Sequence, residues 1–334
     1  MITPTRLSYG VLIATIALAV LLHLGVPLLV LLFSYFALRQ LYFLTKRKWL
    51  ALILFGVVVA GITAAAVYFT RTAILALPDV ADTSIPSASA WAQKRQIELP
   101  FTDFESLRQA VVDTLGQEAQ YLRNVANFAK SAAAAIVFSI LGIVAAGSLF
   151  YKTGLDPYRG THRLKNNLYS ICCDKVSTRF RDFYRSFATV MGAQITISLI
   201  NTALTGIFVV AVRLPHAPLL IAVTFLCGLV PIVGNLASNT VIVFVALTVS
   251  LKLAIVALVF LILIHKLEYL LNSKIIGDRI RNPVWLTLIA LILGERLMGI
   301  PGLILAPVVL NYLRVEMLTV EVPRAPEVVE SLNR

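Results

Sequence analysis

The sequence predicts an all-α, polytopic transmembrane protein. Its membrane helices include broken or re-entrant hairpins, and an amphipathic external helical segment and a basic cytoplasmic helix accompany them. Three observations predict it. Hydrophobic residues make up 59% of the 334 positions and charged residues only 14%, against about 25% charged in an ordinary soluble domain. The apolar residues fall in long runs without Asp, Glu, Lys or Arg, at 7–38, 49–70, 131–151, 186–212, 214–251 and 297–313. The bases cluster between those runs. A bilayer span needs about 20 apolar residues, and a central Asp, Lys or Arg costs about 2.5–3.5 kcal/mol on insertion scales. One large soluble core has no use for so many charge-free stretches of span length.

The first run follows Arg6 and at first sight resembles a signal peptide. It continues past Leu22 towards Phe36, and no small-residue cleavage site follows it, so it reads as an uncleaved membrane segment. The net charge of +12 would suit nucleic acid, but its placement in loops beside apolar runs argues against that partner. Arg39, Lys46, Arg47 and Lys48 follow the first run. Lys152, Arg159, Arg163, Lys165, Lys175, Arg179, Arg181 and Arg185 crowd the segment 152–185, opposed only by Asp156, Asp174 and Asp182. Lys266, Lys274, Arg279 and Arg281 form a third basic loop. Bases near span ends mark the cytoplasmic side. The charge-balanced segment 71–130 then lies outside.

Two runs are too long for one span. Gly25 and Pro27 interrupt 7–38, and Pro231 and Gly234 interrupt 214–251. Proline removes a helix donor and clashes with the preceding turn. Each run therefore reads as a hairpin of short helices, about 8–22 with 27–44 and 217–231 with 235–250. A last short hairpin, 284–294 with 299–313, leaves the C-terminus inside. The organisation expected is an N-terminal membrane hairpin plus span (1–70), an extracytoplasmic amphipathic segment (71–130), a membrane core (131–313) containing the basic helix 155–186, and a cytoplasmic tail (314–334).

Within 71–130, Thr102 and Glu105 have capping-box spacing. Phe104, Leu107, Val111, Leu115, Leu122, Ala126 and Ala129 then recur at near-helical steps. That face either packs on its own chain or meets a neighbour. In 163–187, Leu164, Leu168, Ile171, Phe180, Phe183 and Phe187 form one apolar stripe among bases, a pattern that suits an anionic inner leaflet or anchors the topology.

Enzymatic motifs are missing. There is no G-x-x-x-x-G-K-[ST], H-E-x-x-H, G-x-S-x-G or C-x-x-C. His23, His162, His216 and His265 are scattered without metal-ligand spacing. Cys172, Cys173 and Cys227 make no disulfide framework. No catalytic residue, metal site or cofactor is predicted, and the chain is not read as an enzyme.

Polar groups inside apolar runs are the remaining candidates. Gln194, Ser198, Asn201 (or Thr202) and Thr205 step along one helix face. Ser238, Asn239 and Thr240 follow the Pro231 break. Such groups either hold helices together or line a polar path. Ionisable residues at membrane depth are functional candidates. Glu268 reads as one of these or as an interfacial residue paired with a base, and Glu295 with Arg296 as another or as a solvated turn.

The last third carries an ordered set of motifs. Val230-Pro231-Ile232-Val233-Gly234-Asn235 comes first, then Leu267-Glu268-Tyr269, Lys274-Ile275-Ile276-Gly277 and Asn282-Pro283. Gly299-Ile300-Pro301-Gly302-Leu303-Ile304-Leu305-Ala306-Pro307 ends it. In this order the chain resembles the autoinducer-2 exporter-like (AI-2E) family of bacterial membrane permeases. It departs from that pattern at Ser273, Asn235, Glu295 and Arg296. The resemblance implies roughly eight membrane segments in the bacterial inner (plasma) membrane and a homo-oligomeric ring such as a pentamer. It further implies export of a small polar signal in some members and sodium/proton exchange in others.

Residues and resemblance together place an expected solute path at Pro231, Gly234, Asn235, Asn239, Asn201, Thr205, Gly299, Pro301 and Gly302. Backbone groups freed at the breaks and nearby amides would bind a small polar solute by alternating access. The second expectation is cation/proton exchange with Glu268 or Glu295, beside Arg296, as the ion-coupling group. A third, of another class, is a non-transporting scaffold or sensor docking through 102–130.

Overall fold

In the computed structural model, residues 4–93, 118–151, 167–231, 233–275 and 283–319 are described, and among them ten α-helices and no strands occur. They are α1 (Pro4–Leu21), α2 (Gly25–Thr45), α3 (Lys48–Gln93), α4 (Glu118–Tyr151) and α5 (Leu168–Ala211), followed by α6 (Ala217–Gly228), α7 (Val233–Val249), α8 (Leu251–Ile275), α9 (Val284–Met298) and α10 (Ile300–Leu318). By length and composition, five helical segments suffice to cross a bilayer: Gly25–Thr45, Lys48–Thr72, Lys130–Tyr151, Leu168–Ala211 and Ile300–Leu318. Leu7–Leu21, Ala217–Gly228 and Val233–Val249 are apolar but shorter.

The outer surface is what a bilayer solvates. Ile62, Val144, Leu263 and Ile292 are each more than 60% exposed, with many large apolar neighbours. A water-soluble monomer rarely shows so much contiguous apolar surface. The fold is a multi-pass helical membrane protein.

The first break falls where Gly25 and Pro27 predict it. α1 stops at Leu21, His23 takes a left-handed conformation (φ 53°), and Leu24 N–H bonds back to the Ala19 carbonyl. Pro27 then sits in the first turn of α2, where its missing N–H costs nothing. The two helices hardly touch each other, because α1 lies mainly on α5 while α2 lies mainly on α4. This pair is therefore a broken run whose arms part, not a closed hairpin.

α2 and α4 run parallel. Gly142 meets the backbone of Pro27 and Leu31, and further along, the Phe150 ring meets Tyr42 edge-on at 5.8 Å. α3 returns antiparallel beside α2, and Leu38, Ala51, Phe55, Ala146 and Phe150 close a core among the three helices.

α3 and α4 are continuous helices across positions 70 and 130, where composition alone changes. The Thr102–Glu105 box and its apolar positions through Leu115 lie outside the described residues, as do 155–166, 276–282 and 320–334.

α5 has 44 residues. At 1.5 Å per residue that is about 66 Å, roughly twice the hydrocarbon thickness. The basic helix and the following span, read separately from composition, are one rod. Asn167 caps it, its side chain accepting from Ser170 N–H at 2.8 Å.

Phe183, Phe187, Val190 and Met191 of α5 form the centre of a core with Leu12 of α1, Leu29 and Leu32 of α2, and Ile304, Leu305, Val308 and Tyr312 of α10. Near it, the Arg179 guanidinium pairs with Glu316 of α10 and lies over the Tyr9 ring of α1, 4.0 Å from its centroid. The Tyr9 hydroxyl donates to the same Glu316 carboxylate at 2.7 Å.

The second half of α5 carries α6, α7 and α8 as an up-and-down set. Val209, Leu220, Ile242, Val245, Ala246, Ala254, Ala257 and Leu261 share one core, and Phe208 stacks on Phe260 at 4.1 Å. α9 and α10 form a tight hairpin turned at Gly299, whose φ of +64° suits a residue without a side chain.

Candidate functional site

α6 has only twelve residues, about 18 Å of helix, so it ends inside a hydrocarbon layer of about 30 Å. Its chain turns at 229–231 and re-enters helix at Val233. Pro231 has no N–H to continue the ladder. Val230 N–H reaches the Cys227 carbonyl at 2.9 Å and Gly234 N–H the Val230 carbonyl at 3.2 Å. The turn closes tightly because Gly234 lies against the Cys227 carbonyl, which a Cβ there would overlap.

A helix end at membrane depth leaves carbonyls that water cannot reach. Two of them are capped by α5. Ser198 Oγ donates to the Phe225 carbonyl at 2.9 Å, and Gln194 Nε2 donates to the Gly228 carbonyl at 2.7 Å. Gly228 allows this approach, since a Cβ there would stand 2.5 Å from Ser198 Oγ. Part of the polar stripe on α5 thus holds the break together. Of the carbonyls that the break leaves without a helical partner, those of Phe225 and Gly228 are therefore occupied and not open to solute.

The stripe continues beyond the caps. One and two turns further along α5, Asn201 is 5% exposed and Thr205 is fully buried. The Asn201 Oδ1 and the neighbouring Thr202 Oγ1 are buried without a hydrogen-bond partner among the described residues. A buried carbonyl oxygen left in that state costs about 1–3 kcal/mol, so it is an acceptor awaiting a donor.

On the other side of the turn, Asn235 opens the first turn of α7 and donates its Nδ2 to Glu268 Oε1 of α8 at 2.5 Å. Both residues are buried, at 8% exposure each. Ser238 Oγ donates to the Asn235 carbonyl at 3.2 Å, and Asn239 is half-buried a turn into α7. His265 Nδ1 stands 3.8 Å from Glu268 Oε2. Four helices therefore deliver polar groups to the neighbourhood of one turn: Gln194, Ser198 and Asn201 from α5, the carbonyl end of α6, Asn235 from α7 and Glu268 from α8.

The other predicted positions serve elsewhere. Gly302 and Gly294 bring α10 and α9 together backbone to backbone, since a Cβ on Gly302 would overlap the Gly294 carbonyl. Pro301 packs on Gly25. Gly299, Pro301 and Gly302 therefore belong to the hairpin and its seat on α2. Val230 of the α6–α7 turn packs on the core to which α10 contributes Ile304, Leu305, Val308 and Tyr312. Glu295 and Arg296 are exposed on α9, their side chains 53% and 84% open and 3.9 Å apart. Glu268 is the buried carboxylate among the described residues, and it is tied to an amide across the helix interface.

Sequence reasoning missed two sets of residues. The Tyr9–Arg179–Glu316 cluster joins α1, α5 and α10, and positions 9 and 316 are 307 residues apart, so no local pattern marks it. Gly228 and its carbonyl were also missed. The signal was present there: a glycine one turn before a membrane proline, facing a serine-bearing helix.

The profile of the AI-2E family transporters matches residues 9–319, nearly the whole chain. The chain is also similar to "Putative transport protein YdbI" of Bacillus subtilis (strain 168), with 27% identity over 187 residues. That alignment covers 55% of this chain and 51% of the relative, so the chain spans about half the length of the curated relative it matches. With the all-helical membrane fold and the three Gly/Pro breaks in order, the extent of the profile match decides the assignment: the chain belongs to the AI-2E family transporters, a family of membrane permeases.

Proposed function

We propose that the chain carries a small polar solute, such as an autoinducer-2-like signal, outward across the bacterial inner membrane, and that the solute passes the α6–α7 turn. The observation that carries this reading is the buried, unpartnered Asn201 carbonyl beside a helix break already lined by Ser198, Gln194, Asn235 and Glu268. Hydroxyl or amine donors on a neutral solute would satisfy such acceptors without bringing net charge into the membrane. Asn201, Thr205, Asn235 and Asn239 would contact the solute, while Pro231 and Gly234 keep the turn.

Alternating access would follow from movement of the α6–α7 hairpin against α5 and α8. Beside the apolar core that Leu220 and Ile242 share with Val209 and Ala257, its polar ties to them are a few side-chain hydrogen bonds, each worth about 0.6–2 kcal/mol between membrane helices. Gly299, Pro301 and Gly302 would hold the last hairpin on α2, and its α10 would bear on the turn through the core that Val230 packs against. The basic residues of α5 support a cytoplasmic position for its N-terminal half and for both chain termini. Assembly as a homo-oligomer, a pentamer in the first instance, is part of the same proposal, with the exposed apolar helix faces available to neighbouring copies or to lipid.

The test is flux of candidate polar signals in vesicles containing the purified chain. Joint replacement of Pro231, Gly234 and Asn235 should abolish flux while membrane insertion persists. Unchanged flux in that variant would refute the path.

A further inference from the structure

We propose that the turn between α2 and α3 is a headgroup site for an anionic phospholipid, set beside the end of α4. The site depends on the membrane fold and on no property of the solute path.

Two residues, Lys46 and Arg47, join the helices, and Lys48 opens α3. Lys46 is left-handed, with φ 54°, and its N–H closes α2 on the Tyr42 carbonyl at 2.7 Å. Glycine or asparagine ordinarily fills such a position, because a Cβ is strained there. For the backbone alone a lysine is a poor choice, so what it contributes is its charge.

Lys48 is already engaged within the protein. Its Nζ donates to the Tyr151 carbonyl at the end of α4, at 3.3 Å, and lies 5.8 Å from the Tyr151 ring centroid. The ends of α2 and α4 and the start of α3 are thereby gathered together. Lys46 and Arg47 stay exposed beside them.

The surrounding chain does not neutralise these bases. The first 78 residues contain no Asp or Glu, and the carboxylate of α4 is Glu118, at its opposite end. Residues 152–166 lie outside the described residues, but whatever their path they bring four bases, Lys152, Arg159, Arg163 and Lys165, against Asp156 alone. On α5, Asp182 is taken by Arg185 at 3.2 Å. The charge complement is an anion from outside the chain.

The apolar surface next to the bases makes that anion a lipid. Phe43 and Leu44 precede the turn, Trp49 follows it and Tyr151 stands beside it, all four more than half exposed. A soluble anion would use the bases and leave these side chains uncovered. A phospholipid uses both: its phosphate meets the Arg47 fork and the Lys46 ammonium, and its chains cover the rings. Guanidinium binds phosphate through paired N–H···O bonds, and Trp and Tyr favour the headgroup level. Bases beside span ends favour the cytoplasmic face, so the lipid belongs to that leaflet. Bound there, it bridges α2 and α3 at the foot of the core that Leu38, Ala51, Phe55, Ala146 and Phe150 close.

Trp49 reports on the site once Trp91→Phe and Trp285→Phe have removed the other two tryptophans of the chain. That chain is placed in phosphatidylcholine vesicles, and phosphatidylglycerol or phosphatidylcholine with brominated acyl chains is titrated in, since bromine quenches an indole on contact. A base near an anionic surface is worth about five-fold in affinity, so phosphatidylglycerol should be preferred about 25-fold. Arg47→Gln should lower the preference about five-fold. Lys46→Gly with Arg47→Gln should abolish it, and because glycine relieves the left-handed turn, Lys46→Gly should unfold no earlier than the parent. Inorganic phosphate at millimolar concentration should not relieve the quenching. Equal quenching by the two lipids without further substitution would overturn the proposal, as would a full preference in the Lys46→Gly, Arg47→Gln chain. Relief by inorganic phosphate would assign the turn to a soluble anion and overturn the lipid.

Discussion

Arg179, a dozen residues into α5, is ion-paired with Glu316 near the end of α10, and the Tyr9 hydroxyl shares the same carboxylate. Both charged side chains are about 15% exposed. Breaking a pair at this level of burial leaves one charge stranded and typically costs about 3–5 kcal/mol when fully desolvated, less with residual solvent. Glu316→Gln should lower the thermal unfolding midpoint of the detergent-solubilised chain, and Arg179→Met should lower it similarly. The double variant should be no worse than either single, with a coupling of about 1–3 kcal/mol by double-mutant cycle. Additive losses would show that the pair contributes nothing as a pair.

Gly234 and Gly56 make a controlled comparison. A Cβ at 234 would overlap the Cys227 carbonyl, whereas one at Gly56 would meet nothing within 4 Å. Overpacking of this kind costs about 1–3 kcal/mol or more, and a backbone carbonyl cannot move aside as a flexible side chain does. Gly234→Ala should reduce the yield of monodisperse protein and the unfolding midpoint. Gly56→Ala should leave both unchanged or raise them slightly, since alanine is about 1 kcal/mol better than glycine in a helix.

Ser198 and Asn201 should part company on mutation although they lie one turn apart. Ser198→Ala uncaps the Phe225 carbonyl and should destabilise by about 1–2 kcal/mol. Asn201→Leu removes an oxygen that has no partner among the described residues, so the chain should unfold at the same temperature or higher. Solute flux in vesicles should nevertheless fall several-fold in Asn201→Leu. A stable variant with full flux would remove Asn201 from the solute path.

Phe187 is fully buried between α2 and α10, with the Phe33 ring edge-on at 5.1 Å and Phe36 at 6.5 Å. Phe187→Ala should cost about 3–5 kcal/mol through the cavity it leaves. The expected readout is loss of the folded peak on size exclusion at a temperature the parent chain withstands.

The legible parts of this fold were those set by local chemistry. The breaks at Gly25–Pro27, Pro231–Gly234 and Gly299–Gly302 follow from what proline and glycine do to a helix, and each is a break in the structure. The polar stripe on α5 followed from helical periodicity. Its meaning did not, because Ser198 and Gln194 find their acceptors on another helix, at Phe225 and Gly228. Glu268 read equally well as an interfacial residue, since His265 and Lys266 precede it. Only the packing of α7 against α8 reveals that it points inward to Asn235. The merger of the basic segment with the span into one α5 was also hidden. A change from charged to apolar composition looks like a boundary, yet nothing between Arg185 and Gln194 breaks a helix.

That unbroken α5 has a mechanical consequence. It carries the Arg179 anchor near one end and the Ser198 cap about 28 Å further on, counting nineteen residues at 1.5 Å each. No hinge between them can absorb a displacement. Tilting the basic end, by a lipid headgroup, a neighbouring subunit or rupture of the Glu316 pair, swings the far end in proportion, as with an oar in its lock. Whatever grips the basic end therefore has leverage over the cap at the α6–α7 turn without touching it.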